Sequence, residues 1–186
     1  MAGEVRQRMI DHAALLLART GPLASFSEVL EASGAPRGSL YHHFPGGKDE
    51  LVLAAMDAAS QRAIAYLEPM RGEPADKVAE AFVNLWRAVL ARSKFEAGCA
   101  VLAVTVTSDA STRRARAGQI FRAWRDLITG MLEAGGVPAD RAKGLAAALI
   151  SACEGAVAIA RAEGSMEPFD LAATEQVRTI RDAMAR

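Results

Sequence analysis
The chain has 186 residues, enough for one or two domains with a sizeable core. About half of them (51%) are hydrophobic and only 5% are aromatic, with alanine and leucine dominant, a composition that favours helix. Formal net charge is zero, so no bulk basic field marks a nucleic-acid binder, and such a partner has to be read by a local surface.

The first predicted element covers residues 4–19. Val5, Met9, Ile10, Ala13, Leu16 and Leu17 recur at helical spacing and form one apolar face. Glu4, Arg6 and Arg8 leave no apolar run at this end, so no signal peptide is expected. Gly21-Pro22 ends the helix. Ser25 is a suitable N-cap for a short second helix, with Glu28 three residues on as in a capping box. Phe26, Val29 and Leu30 face the core. Ser33-Gly34 breaks this helix, and Gly34 suits a sharp turn because it has no Cβ to clash at positive φ. Pro36 fits the first turn of a third helix, where its missing N–H costs nothing. Leu40 and Phe44 are four apart and pack inward. Two short helices joined by a tight turn are a helix-turn-helix, whose main use is to set its second helix in the major groove of DNA.

The polar residues left outside suit that use. Arg37 can donate a bidentate pair to a guanine edge or bond a phosphate. Ser39 and Tyr41 can donate to phosphate oxygens, and His42 to either, with His43 the weaker candidate. Lys48 follows Gly46-Gly47 at the start of the next helix, where its ammonium and the free helix N–H groups can hold a phosphate together. Residues 1–48 carry five bases and four acids, a net of +1, so affinity has to come from a few placed contacts and from pairing of two units. The other reading of these residues is a solvated polar face on a small helical domain.

The run GAPRGSLYHHFPGGKDEL resembles the signature of the TetR family of bacterial transcriptional repressors. The matching residues are Gly34, Ala35, Arg37, Gly38, Ser39, Leu40, Tyr41, His42, Phe44 and Lys48. Two positions depart from the pattern: Pro36 stands where serine is usual, and the Pro-Gly-Gly turn has one more residue before Lys48. Proline with the double glycine is similar to the subgroup of drug-responsive repressors typified by LmrA and YxaF. The resemblance is strong over residues 1–56. It implies an all-α protein with an N-terminal three-helix DNA-binding domain, residues 1–48, and a helical effector-binding and dimerisation domain, residues 49–186. The DNA-binding set is then Ser25, Arg37, Gly38, Ser39, Tyr41, His42, His43 and Lys48.

From Asp49 a long helix is predicted to about Leu67, followed by a break at Pro69, Gly72 and Pro74. Residues 75–93 form the next, with Val78, Phe82, Leu85, Trp86 and Val89 on one face. GCAVLAVTVT (98–107) is β-branched, but a lone strand among helices has unpaired edges, so helix is predicted. Residues 111–133, 139–163 and 170–185 complete the set, Gly135-Gly136 ending one helix and Pro138 starting the next. Residues 144–160 approach the length of a membrane span. Glu154 and the many small residues make transfer poor, so a buried helix of a cytoplasmic protein is predicted, with no membrane partner. Cys99 and Cys153 lie far apart, with no CxxC and no Cys/His cluster, and read as buried thiols of a reducing compartment.

Phe82, Trp86, Phe95, Cys99, Leu102, Phe121, Trp124 and Ile128, with Met131, are candidates to line an apolar site for a lipophilic or aromatic effector. Each by itself reads equally as a core residue. Arg113, Arg114, Arg116, Arg122 and Arg125 are a solvated face, or one of them pairs with an acidic effector. Ala148, Ala152, Ala156 and Ala160 recur every four residues, and small residues let helices approach closely. With Val177 and Ile180 of the last helix they are the candidate homodimer face, as the last two long helices are in the resembled family. No paired carboxylates, Ser-His-Asp order, metal spacing or phosphate loop points to an enzyme, a metal or a cofactor. The reading is a repressor that binds a palindromic operator in double-stranded DNA as a dimer and is released by a small molecule. The alternative is a helical small-molecule-binding or scaffold module without DNA binding.

Overall fold
A computed structural model describes residues 2–21, 26–36 and 38–184 of the chain. Its architecture is all-α, with no strand among the described residues. Contacts group the chain into two compact units, Met1–Arg62 with Cys99–Ile120, and Ala63–Gly98 with Phe121–Arg186.

The first unit holds α1 (Ala2–Thr20), α2 (Phe26–Ser33), α3 (Ser39–His43), most of α4 (Gly47–Leu67), α6 (Ala100–Thr107) and the start of α7 (Ser111–Ala134). The apolar stripe of α1 buries Met9, Ile10, Ala13 and Leu17, and the helix packs on α2 and α6. α4 buries Leu51, Val52, Ala55 and Met56. Within the β-branched run at 98–107, Ala100–Thr107 is helical, as predicted. Cys99 caps it, its Sγ accepting from the Leu102 N–H at 3.3 Å. The Thr105 hydroxyl donates to the Val101 carbonyl one turn back at 2.8 Å, so this polar side chain needs no partner outside the helix.

The second unit holds the end of α4, a 3₁₀ turn at Glu68–Met70, α5 (Ala75–Ser93), the rest of α7, α8 (Ala139–Glu163) and α9 (Glu167–Met184). α8 packs on α9 and α5, and α5 packs on α9. By length and apolarity α8 can cross a membrane, yet 50% of that stretch is buried inside the protein, and Glu154 and Cys153 are among the buried residues. Burial, with the Glu154 charge as second cause, pushes the Cys153 thiol up to about 12 from an ordinary value of 9.0. A folded-state pKa above the unfolded one stabilises the protein fully below the unfolded value, and that stability is lost as pH rises from 9.0 toward about 12. Cys153→Ala is therefore expected to flatten the alkaline fall of the melting temperature between pH 8 and about 10.5, measured by circular dichroism. An unchanged alkaline slope would assign that fall to other groups.

The turn after α5 is strained. Lys94 and Phe95 both have positive φ, 51° and 66°, which non-glycine residues adopt at a cost of about 1–3 kcal/mol each. The turn is held on several sides. Phe95 N–H donates to the Leu90 carbonyl at 2.9 Å, and Arg161 of α8 donates to the carbonyls of Phe95 and Glu96 at 3.4 and 3.0 Å.

Candidate nucleic-acid interface and effector site
α2 ends in a Schellman motif. Gly34 has φ +64°, its N–H donates to the Glu31 carbonyl at 3.3 Å, and the Ala35 N–H reaches the Leu30 carbonyl at 3.1 Å. Pro36 differs from its predicted place. α3 begins at Ser39, with Gly38 as N-cap, so Pro36 precedes the helix and supplies the carbonyl that accepts the Ser39 N–H at 2.9 Å. The Ser39 hydroxyl donates to the same carbonyl at 2.6 Å. The Ser39 hydroxyl is thus engaged inside the turn that precedes α3. Leu40 and Phe44 are buried, and this anchoring leaves Tyr41 67% exposed, with Gly38 and His42 also exposed and His43 half-buried. The His42 and His43 rings meet edge to face at 5.2 Å. Ser25 and Arg37 lie outside the described residues.

The start of α4 is more crowded than its sequence suggests. Lys48 is half-buried, and the Gly46 N–H already donates to the Glu50 carboxylate at 2.9 Å. Arg6 of α1 pairs with Glu50 at 3.8 Å and lies over the Phe44 ring, 4.9 Å from its centroid. Arg6 therefore ties α1 to both the end of α3 and the start of α4. Sequence reasoning missed this, because an apolar stripe names a packing face and says nothing of the polar residue beside it.

In the second unit four candidate effector residues form a chain of rings. Phe82 meets Trp86 edge to face at 6.3 Å, Trp86 lies 6.3 Å from Trp124, and Phe121 meets Trp124 edge to face at 5.6 Å. Trp86 is 5% exposed, and its Nε1–H is buried with no hydrogen-bond acceptor among the described residues. Ile128 and Met131 are buried in the same unit. Phe95 sits in the strained turn. Cys99 and Leu102 belong to the first unit, where Cys99 caps α6.

The α7 arginines divide. Arg113 donates from Nε to Asp49 at 2.9 Å, and its Nη2 pairs with the same oxygen. Arg116 donates to Asp57 at 2.7 Å, and Arg114 to the Ser108 carbonyl at 3.2 Å. In the second unit Arg122 is exposed, while Arg125 keeps a buried Nε with no acceptor among the described residues. On α8, Ala148 is exposed and Ala152 half-buried, but Ala156 and Ala160 are buried within the protomer, as is Ile180 of α9; Val177 is half-buried. Those three buried residues are closed to a second copy. The exposed small residues of α8 run instead through Gly144, Ala148, Ser151, Gly155 and Ala158, beside Ile159, which is 50% exposed, and Leu171 of α9 is 67% exposed.

Comparison with known proteins agrees along the chain. Residues 9–55 match the family model of bacterial regulatory proteins, tetR family, and residues 74–175 match that of the transcriptional regulator LmrA/YxaF-like C-terminal domain. An uncharacterized HTH-type transcriptional regulator of Mycobacterium tuberculosis is 38% identical over 174 residues, 89% of each chain. The HTH-type regulator YxaF of Bacillus subtilis is 25% identical over 183 residues, covering 96% of this chain and 95% of its own. The crystal structure of a TetR transcriptional regulator from Chloroflexus aurantiacus superposes with a TM-score of 0.77 at 28% identity, covering 97% of this chain and 96% of that one. A TetR-family regulator from Agrobacterium tumefaciens, 20% identical over 96% of this chain and 98% of its own, shares the fold with a TM-score of 0.83.

Proposed function
This chain belongs to the TetR family of bacterial regulatory proteins, and from that premise we propose that it is a cytoplasmic repressor that binds a palindromic operator as a homodimer. The observation that carries the proposal is the exposure of Tyr41 and His42 on a helix whose Leu40 and Phe44 are locked inward behind a Schellman turn. Residues 1–48 read DNA through Tyr41, His42 and Lys48, with Arg37 as a further contact. Residues 49–186 bind the effector and the second copy. One helix-turn-helix reads too few bases, whereas two on a two-fold axis read half-sites ~34 Å apart.

The effector is lipophilic and aromatic, stacks in the ring chain of Phe82, Trp86, Phe121 and Trp124, and accepts a hydrogen bond from Trp86. A buried N–H without an acceptor costs about 1–3 kcal/mol, which a ligand oxygen recovers. A ligand that binds better to the state with its recognition helices splayed shifts the population toward it, and a few kcal/mol of preference changes operator occupancy ~10²-fold.

Selection from random DNA tests the reading directly. A repressor enriches a palindrome, and the same sequence upstream of the regulated gene is retarded in a gel-shift titration. If nothing is enriched, the protein is a helical module without DNA binding. The dimer face is the exposed side of α8 and α9, so Ile159→Asp is expected to convert the protein to a folded monomer at micromolar concentration by light scattering. A persisting dimer would move the interface off this face.

A further inference from the structure
Arg113 and Arg116 share the first unit with α3 and the first four turns of α4, and both form directional pairs with α4. The Arg113 side chain is only 14% exposed, and two of its nitrogens converge on Asp49. Arg116 donates to Asp57 at 2.7 Å and to Gln119 of its own helix at 2.8 Å, which orients the guanidinium. Asp49 and Asp57 are eight residues apart, about 12 Å along α4. Leu51, Val52, Ala55 and Met56 of α4 are buried, and directional pairs add to that non-directional packing a further constraint on sliding and rotation. A planar guanidinium on a carboxylate constrains both. The start of α4 follows α3 after only three residues, Phe44 to Gly46, so its axial setting decides where α3 presents Tyr41 and His42.

We propose that Arg113 and Arg116 are positioning residues for operator recognition: they touch no DNA, and through Asp49 and Asp57 they set the depth and rotation of α4 and hence of α3. This rests on the DNA-binding reading above. It replaces both sequence-based readings of these two arginines, the solvated face and the effector counter-ion, because each already has a carboxylate partner.

The test compares wild type with R116Q, D57N and the swapped pair R116D/D57R. Operator affinity is measured over a potassium chloride series, and dimer state and melting temperature are checked in parallel. R113K, which keeps the charge and loses the fork, covers the case in which R116Q does not fold. Each single variant is expected to lose roughly fivefold to tenfold in operator affinity, since two partly exposed pairs are lost per dimer. The slope of log K against log salt stays that of wild type, and the swap regains most of the loss. A slope shallower by about two units for the dimer would make these arginines phosphate contacts and overturn the proposal. Unchanged affinity in the single variants, or a swap that regains nothing, would overturn it as well. Wild-type protein that selects no DNA would instead overturn the DNA-binding reading, and this inference with it.

Discussion

Tyr41→Ala is expected to lower operator affinity by roughly a hundredfold or more while the protein stays a folded dimer. Tyr41 is 67% exposed, so its removal opens no cavity and leaves the core of Leu40 and Phe44 intact. A hydrogen bond to a charged group contributes about 1.5–3 kcal/mol, and a two-fold dimer loses it twice. A loss of ~3 kcal/mol is about two decades in the dissociation constant. Tyr41→Phe separates the hydroxyl from the ring: if the phenol acts through a phosphate contact, Phe reproduces most of the loss. Fluorescence anisotropy against the selected operator reads both variants. Wild-type affinity in Tyr41→Ala would remove α3 from the groove as placed here.

Gly135→Ala is expected to destabilise the protein by roughly 3 kcal/mol or more, more than Gly136→Ala. A Cβ on Gly135 would lie 2.5 Å from the Ala75 nitrogen and 2.7 Å from the Glu73 carbonyl oxygen, both backbone atoms. Neither can turn away as a side chain can, and Ala75 is fully buried and donates its own N–H to the Gly135 carbonyl at 3.0 Å. Relieving the clash means lifting the end of α7 off the start of α5. Gly136 has the opposite character: φ is +103°, the nearest atom to a Cβ is the Met184 Cε at 4.0 Å, and the penalty is conformational, about 1 kcal/mol. For a chain of this length, 3 kcal/mol corresponds to a fall of about 6–12 °C in melting temperature. A thermal melt in which Gly136→Ala falls further than Gly135→Ala would reverse the assignment.

The two adjacent glycines show what a sequence can and cannot say. Gly-Gly after an apolar run marks a helix end, and the end is there, at Ala134. Which glycine is required by backbone angle and which by the approach of a chain segment sixty residues away is a tertiary fact. The same holds at the DNA-reading segment. Turn glycine, apolar spacing and the inward pair Leu40 and Phe44 were legible, because each is set within a few residues. The hydrogen bond from the Ser39 hydroxyl to the Pro36 carbonyl was not legible, because it depends on where Pro36 falls in the turn. Arginine pairs were also illegible: Arg113 and Asp49 are 64 positions apart, and nothing local links them.

The effector candidates divide for a similar reason. Phe82, Trp86, Phe121 and Trp124 come together because aromatic rings on the apolar faces of α5 and α7 pack on each other. Cys99 and Leu102 looked equivalent in apolarity, but the chain enters the first unit at Cys99, and its sulfur caps α6.

By itself the sequence determined the helices, their order and the helix-turn-helix, since periodicity, capping and turn residues act over windows shorter than twenty residues. Only the tertiary structure decided which side of α8, with its many small residues, meets water. The alanines of α8 make the reason plain. An α-helix turns about 100° per residue, so a four-residue repeat drifts about 40° per step and about 120° over three steps. Ala148, Ala152, Ala156 and Ala160 therefore wind from exposed through half-buried to fully buried. A stripe that looks like one face in the sequence crosses from the surface into the core.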